Sequence, residues 1–450
     1  MNLKKIIGII IAGIVLAAVV ALVIIKFPPK LKNKKVEPVT VTYWGLWEPE
    51  SVMRPVISDF EAANPTIKIN YIFQSQREYR ERLQNALAAG RGPDVFRIHN
   101  TWMPMFKSEL APIPPEVYSA SEYESIFYGV TRNDLRAGGN YMAVPLMIDG
   151  LALFTNDELF SQGGKTVPTS WEELRKTAGE MSVCDSEDGR CNSGDKILIS
   201  GAAMGTADNV DHWQDILGVL MLQNNVNLAS PVGQSAEESL QYYTIFNRAD
   251  HIWDSTLPTS TVMFANGKLA MYFAPSWRVF DLQAINPKLK FSVHPIPQLP
   301  LDSARGEKPI TWASYWAEGV SKKSTQGAAA WKWVKYLSGR ETLQKLYQSA
   351  SSSRAFGEIY SRVDMQPLLT DPLVSPYAAQ AINSKSWYLV SNTFDGPTGI
   401  NSKINALYAQ AVTDVNAGRQ TTEVTKTLST GINGVLSQYG LATQIIPPTP

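Results

Sequence analysis

Between residues 39 and 98 the sequence switches repeatedly between two periodicities, and this switching restricts the fold more than any other stretch. Val39, Val41 and Tyr43 alternate as a strand; Val52, Met53, Val56, Ile57 and Phe60 recur at helical spacing; Ile67, Ile69 and Tyr71 alternate again. A second helical set, Tyr79, Leu83, Ala86 and Leu87, stops at Gly90, and residues 94–98 read as a third strand. This βαβαβ order predicts a parallel, doubly wound sheet. Ligands of such sheets sit beyond the carboxyl ends of the strands. Here those ends are followed by Trp44, Trp47 and Glu48, by Gln74 and Gln76, and by His99, Asn100 and Trp102.

Residues 144–160 form a nearly unbroken apolar run, as a strand buried on both faces would. Asp149 interrupts it beside Gly150. A carboxylate there needs a buried partner, lines a cavity or marks a bend. The run reads as a strand that leaves one lobe, passes a ligand cleft and enters another, or else as a core strand with Asp149 kinked outward. Further on, Pro168 and Thr169 with Glu172 suggest a capping box for a helix through Trp171, Leu174 and Ala178. Residues 197–199 and 269–273 read as strands, and residues 215–223, 236–246 and two C-terminal stretches ending near Gly418 and Val435 as helices. Proline-rich links at 295–300 and 367–376 are other places where the chain could change lobes.

Ile6 to Ile25 carries no charge over about 30 Å of helix, enough to cross the hydrocarbon of a bilayer. It reads as an uncleaved anchor rather than a cleaved signal, and no Cys follows to carry a lipid. Lys4 and Lys5 precede it, and Lys26, Lys30, Lys32, Lys34 and Lys35 follow, so charge bias alone would place the large domain in the cytoplasm. The cysteines argue the other way. Cys184 and Cys191, close together in a polar, turn-rich segment, suggest a local disulfide in an oxidising compartment. Two sulfurs with no nearby His argue against a zinc site, and the nearby Asp185, Glu187, Asp188 and Asp195 do not have EF-hand spacing for calcium. Beyond residue 35 the chain holds 34 basic against 41 acidic residues, a poor balance for binding nucleic acid.

Several motifs, in order and spacing, resemble the extracellular solute-binding proteins of bacterial ABC importers, the group that includes the maltose-binding protein. They are Ala88-Ala-Gly-Arg-Gly-Pro-Asp94, Gly139-Asn-Tyr-Met-Ala-Val-Pro145, Leu153-Phe-Thr-Asn156 and Pro168-Thr-Ser-Trp171, followed by Phe264-Ala-Asn-Gly267, Pro275-Ser-Trp277 and Gly319-Val-Ser-Lys322. The resemblance covers nearly everything from residue 39 to 440. It implies an α/β, two-lobed periplasmic-binding-protein-like fold of type II, each lobe a mixed, mostly parallel sheet flanked by helices, here preceded by one N-terminal transmembrane helix. The expected organisation is a short segment 1–5, an anchor or signal at 6–25 and a tether at 26–38, then lobe I (39–147 plus 300–352), lobe II (148–299 plus 353–443) and a tail at 444–450. Residues 144–160 would make the first crossing, with others near 295–312 and 352–375. The resemblance further implies a monomer that needs no cofactor and is not an enzyme, capturing a carbohydrate outside the cytoplasmic membrane and passing it to ABC permease subunits.

Sugars offer apolar C–H faces and polar rims, so their sites pair aromatic platforms with carboxylates and amides. The candidate ligand-binding residues are Trp44, Trp47, Glu48, Gln76, Asn100, Trp102, Asp149, Trp277, Trp312, Trp316 and Trp387. By resemblance Trp277 is the stacking tryptophan, and Trp387 with Tyr388 matches an aromatic pair of the maltose binder. Trp171, Trp331 and Trp333 lie on amphipathic helices and read as core; Asp94 either contacts ligand or satisfies backbone N–H groups. The rival class is a glycoside hydrolase or lyase, which needs two carboxylates about 5 to 10 Å apart across one bond, and a third reading is a sensor or adhesin subunit.

Overall fold

The structure, a computed structural model, describes residues 2–26, 38–302 and 306–441. The expected tether, apart from its two end residues, and the tail from 444 lie outside the described residues. A helix, α1 (Leu3–Lys26), contains an apolar stretch Leu3–Leu22 long enough to cross a membrane and forms a unit of its own.

From residue 39 the chain runs through β1 (Val39–Gly45), β2 (Ile67–Phe73) and β3 (Val95–His99), with helices Glu50–Ala63 and Tyr79–Ala88 between them. β1 pairs parallel with both neighbours, as the alternating pattern predicts. The first helix buries Val52, Met53, Val56 and Phe60 against this sheet, with Phe60 edge-on to Trp333 at 4.9 Å. β4 (Ala143–Pro145) lies in the same sheet. The next strand, β5 (Ala152–Asn156), lies in a different one, with β6 (Val183–Cys184), β7 (Ile197–Ala202), β8 (Leu269–Ala274) and β9 (Phe291–His294). After β10 (Thr311–Trp312) the chain returns to the first sheet as β11 (Trp316–Val320), and a short β12 (Ser384–Lys385) pairs with β10.

The strand orders are β2-β1-β3-β11-β4 and β9-β5-β8-β7-β6. Both sheets are mixed. The expected predominance of parallel pairing holds in neither: the first has two parallel and two antiparallel pairs, because β11 runs against both β3 and β4, and in the second only β8 and β7 run parallel, because β5 is flanked by antiparallel neighbours on both sides.

Residues 144–160 are therefore not one strand but two, in two sheets, joined by the link 146–151. The run looked continuous because the link is itself buried, with Leu146, Ile148 and Leu151 each at 3% exposure or less, and periodicity cannot separate burial in a crossing from burial in a strand. Its last residues open a helix, Asp157–Gly163, whose N-terminus is capped by the Asn156 side chain accepting from the Glu158 and Leu159 N–H groups. The capping box is also one residue later than expected. Ser170 caps the helix Trp171–Met181 and Glu173 accepts from the Ser170 N–H, because Ser170 rather than Thr169 holds the N-cap position.

Candidate ligand-binding cleft

Between the sheets the chain segments lie side by side. Ser314 N–H donates to the carbonyl of Asp149 at 3.0 Å, and Ala313 N–H donates to the carbonyl of Lys385 at 2.8 Å, so the link 146–151, β10 and β12 form a short ribbon. Gly150 is required there: a Cβ at this position would sit 2.0 Å from the Trp312 carbonyl oxygen. The buried carboxylate of Asp134 ties three segments together, accepting from Asn100 Nδ2 (2.9 Å), Tyr315 OH (2.9 Å) and Ser386 Oγ (2.6 Å).

Beside this ribbon lies a cavity of about 390 Å³, lined from both sheets' sides and within the roughly 300–1,000 Å³ typical of small-ligand sites. Five of the sequence candidates line it: Trp47, Gln76, Asp149, Trp277 and Trp316. Asp149 Oδ1 accepts from the N–H groups of Gly150 (2.8 Å) and Ser276 (3.2 Å), and Oδ2 from Ser276 Oγ (2.8 Å). The carboxylate thus fastens the crossing to the Pro275-Ser276-Trp277 turn after β8. Burial pushes its pKa up to about 7, against the opposing pull of those hydrogen bonds. The Arg278 guanidinium lies over Trp277, 4.4 Å from the ring centroid, and His212 meets the ring edge-on at 5.7 Å. A ligand stacking on Trp277 would use the face opposite Arg278. Trp316 packs edge-on against Trp47 (5.8 Å), Trp102 (5.1 Å) and His99 (5.1 Å).

The other candidates are not in the cavity lining. Trp102 is fully buried between Tyr79, Phe106 and Trp316, beneath the cleft wall. Trp312 is buried and donates from Nε1 to Asp215 Oδ1 at 2.7 Å, with its ring against Gly218. Asn100 is spent on Asp134 and the Tyr315 N–H. Glu48 stands behind the cleft, pairing with Arg354 at 2.6 Å, and burial raises its pKa. Trp44 packs half-buried on the core of the first sheet, and Trp387 half-buried against Tyr388 and Tyr408. Asp94 serves backbone, accepting from the Thr42 N–H at 2.8 Å and from Ser324 Oγ at 2.5 Å.

Sequence reasoning missed the rings of Phe280, Phe356 and Phe394 and the charged groups Asp215, Asp281, Arg354 and Glu358, all of which line the cavity. Two signals were present. Phe280 follows Trp277 by three, one helical turn on, and Arg354, Phe356 and Glu358 alternate within a segment already suspected of crossing. Behind Glu358, Arg97 donates to its Oε1 (3.1 Å) and to Glu318 Oε1 (2.6 Å), and Tyr43 OH donates to the same Glu318 oxygen at 2.8 Å.

Residues 46–343 match the family of bacterial extracellular solute-binding proteins. The chain belongs to this family. Among relatives, the multiple sugar-binding protein of Streptococcus mutans is 22% identical over 339 residues, covering 71% of this chain and 75% of the relative. Two solved structures share the two-lobed fold: the sugar-binding protein MalE of Xanthomonas citri (TM-score 0.70, 19% identity, 89% of this chain and 98% of that one) and a cyclo/maltodextrin-binding protein complexed with maltotetraose (TM-score 0.69, 17%, 90% and 99%).

In this solute-binding protein Cys184 and Cys191 are joined by a disulfide that closes the loop between β6 and β7. Asp188 and Asp195 in that loop accept hydrogen bonds from the Arg190 and Asn192 N–H groups, and among the described residues no cluster of acidic, His or Cys side chains could hold a metal ion. A larger concavity, about 1210 Å³, lies under this loop against Trp171 and Tyr242. Two of the charged groups that line it, Arg175 and Asp250, are spent on each other at 2.8 Å, and its lining comes from residues 170–300 alone, whereas the smaller cavity is lined from both sheets' sides and is taken as the candidate site.

Proposed function

We propose that this solute-binding protein captures a saccharide in the cleft and delivers it to an ABC permease. The observation that carries the reading is the lining itself: tryptophans Trp47, Trp277 and Trp316 beside the carboxylates Asp149 and Glu358, the pairing of ring platforms and hydrogen-bonding groups that sugars require. The S. mutans relative is named for sugar binding and one structural relative holds maltotetraose, which supports the class without naming the ligand. Trp47, Gln76, Trp277, Trp316, Phe280, Phe356 and Phe394 are proposed as ligand contacts, with Asp149 positioning the Trp277 turn.

Binding rather than catalysis is the reading, in keeping with a binding-protein family. The proposed lobes are residues 39–147 with 316–368, and 152–294 with 375–441, closing about the ribbon described above. Residues 353–368 go with the first lobe because Ile148 N–H donates to the Ile359 carbonyl and Ser361 Oγ to that of Pro145. α1 serves as a single-pass anchor with the lobes outside the cytoplasm, where the Cys184–Cys191 disulfide is stable. The protein acts as a monomer, without a cofactor, and with permease subunits as its membrane partners.

The test is thermal unfolding of the full chain in detergent against a broad panel of mono- and oligosaccharides, polyols and peptides. A ligand at 100 times its Kd adds about 2.7 kcal/mol of stability. A saccharide should therefore raise Tm by several degrees. Silence from every saccharide, or a shift from a peptide alone, would defeat the reading.

A further inference from the structure

Four carboxylates line the cleft, Asp149, Asp215, Asp281 and Glu358, against one guanidinium, Arg354. A site built for a carboxylate or phosphate presents a free guanidinium fork or ammonium group. Here the guanidinium in the lining and the two that pair with the cleft's carboxylates are already engaged. Arg354 holds Glu48 at 2.6 Å, Arg97 holds Glu318 and Glu358 at 2.6 and 3.1 Å, and Arg278 holds Asp281 at 2.8 Å with Asp211 at 3.7 Å.

With these partners counted, seven carboxylates stand against three guanidiniums. Burial raises the pKa of Asp149, Glu48 and Glu318. Granting each of them a proton still leaves four carboxylates to three cations, so there is no surplus of positive charge. The two nearby imidazoles add no charge: burial lowers the pKa of His99, which faces Trp316 and Ser314, to about 3, and His212 accepts at Nε2 from Arg278 Nε (3.0 Å), which requires the neutral ring, while burial lowers its pKa too. The helix Arg278–Ile285 begins at the cleft but carries Asp281 in its first turn, where that carboxylate already offsets the positive end of the helix dipole.

We infer that the cleft selects by charge, taking neutral or amine-bearing saccharides and rejecting uronates and sugar phosphates; this rests on the saccharide reading above. An acidic sugar would leave water for a site whose cations are spoken for, next to carboxylates of its own sign. An amine placed among the rings of Trp47, Trp316 and Phe394 would meet both carboxylate and ring-face attraction.

Two measurements on the full chain in detergent micelles test this. Titration calorimetry with the matched sets glucose, glucosamine, glucuronate and glucose 6-phosphate, and the corresponding galactose set, should give an acidic member at least tenfold weaker than its neutral counterpart. An acidic member that binds as tightly as the neutral one overturns the inference. The second measurement needs no sugar, so a silent panel would count against the saccharide reading while the charge claim is still decided. The part of the tryptophan emission lost in Trp47→Phe is compared under quenching by iodide and caesium, with acrylamide as the neutral reference. Relative to acrylamide, caesium should gain access to Trp47 and iodide should lose it by severalfold at low salt, with the contrast fading at high salt. Iodide access equal to or above that of caesium overturns the inference.

Discussion

The rings of Trp47 and Phe394 meet at 6.1 Å beside the cleft, and both residues hold left-handed backbone, with φ of 71° and 54°. Trp47 follows β1 of the first sheet. Phe394 belongs to a loop whose Ser391 Oγ accepts from His212 Nδ1–H (2.8 Å), the tautomer that the Arg278 bond to Nε2 requires, and whose Asp395 caps the helix Ile400–Asn416 through the Asn401 and Ser402 N–H groups. The contact therefore spans the two proposed lobes. Non-glycine residues in this conformation cost on the order of 1–3 kcal/mol each and persist where the surroundings enforce them, often at ligand clamps. Asn392, also at positive φ, lines the same cavity.

From this pair follows a binding phenotype without a folding phenotype. Phe394 is 41% exposed, so Phe394→Ala removes little core. It should weaken the best saccharide of the panel roughly tenfold, mainly through faster dissociation, because an aromatic pair is worth about 0.5–1.5 kcal/mol beyond its burial and ligand contact adds to that. Phe394→Tyr should retain affinity. Stopped-flow tryptophan fluorescence reads the rates; an unchanged dissociation rate in Phe394→Ala would remove the residue from the site.

Gly150 tests the ribbon between the sheets. Adding one methyl forces the Trp312 carbonyl away, and with it the pairing of Ala313 to Lys385. Gly150→Ala should cost about 1–3 kcal/mol in urea unfolding, as overpacking does. A stability equal to that of the parent protein would show that the segments do not approach this closely.

Asp149 gives a pH signature. Its carboxyl titrates near 7 in the folded chain against an ordinary 3.8, so between these values the folded state binds the extra proton. Stability from this group is fully present below pH 3.8 and is lost as pH rises through 7, by roughly 4 kcal/mol at most. Asp149→Asn cannot titrate. The difference in unfolding free energy, parent minus variant, should fall between pH 4 and 7 and level off above; a difference that is flat or rises over that window would contradict the burial and bonding described for this carboxylate.

Much of the first sheet was legible because β1, β2 and the helix between them each bury one face, and a one-faced element writes its period into the sequence. Val41 and Tyr43, or Val52, Val56 and Phe60, could hardly be read otherwise. The crossing at 146–151 was legible as burial but not as a break, since Leu146, Ile148 and Leu151 are as buried as strand residues although the link belongs to neither sheet. Site residues were harder for a related reason. Asn100 and Trp102 do follow the carboxyl end of β3, but they form a single turn of tight helix whose orientation is fixed by Phe106 one turn on and by Asp134 and Tyr79, both distant in sequence. Phe394 lies in a polar loop without periodicity, and its place at the cleft depends on Asp395 and His212 holding that loop.

Arg97 is where stability and site are coupled. It is 3% exposed and is the cation that holds both Glu318, itself fully buried, and Glu358 at the cleft wall. Removing one partner of a buried ion pair costs about 3–5 kcal/mol, because the carboxylates left behind lose their countercharge. Arg97→Met should show that loss in urea unfolding at pH 7 and recover part of it as the pH is lowered, because burial already raises the pKa of Glu318 and loss of the guanidinium raises it further. Arg97→Lys keeps the charge but not the fork that reaches two carboxylates at once, so it should restore less than half of the loss. Combining Arg97→Met with Glu318→Gln separates the two carboxylates. If the double variant regains most of the stability, Arg97 chiefly neutralises Glu318, and saccharide affinity should then report how far Glu358 has moved. If the double variant is no more stable than Arg97→Met, the buried charge on Glu318 is not the source of the loss.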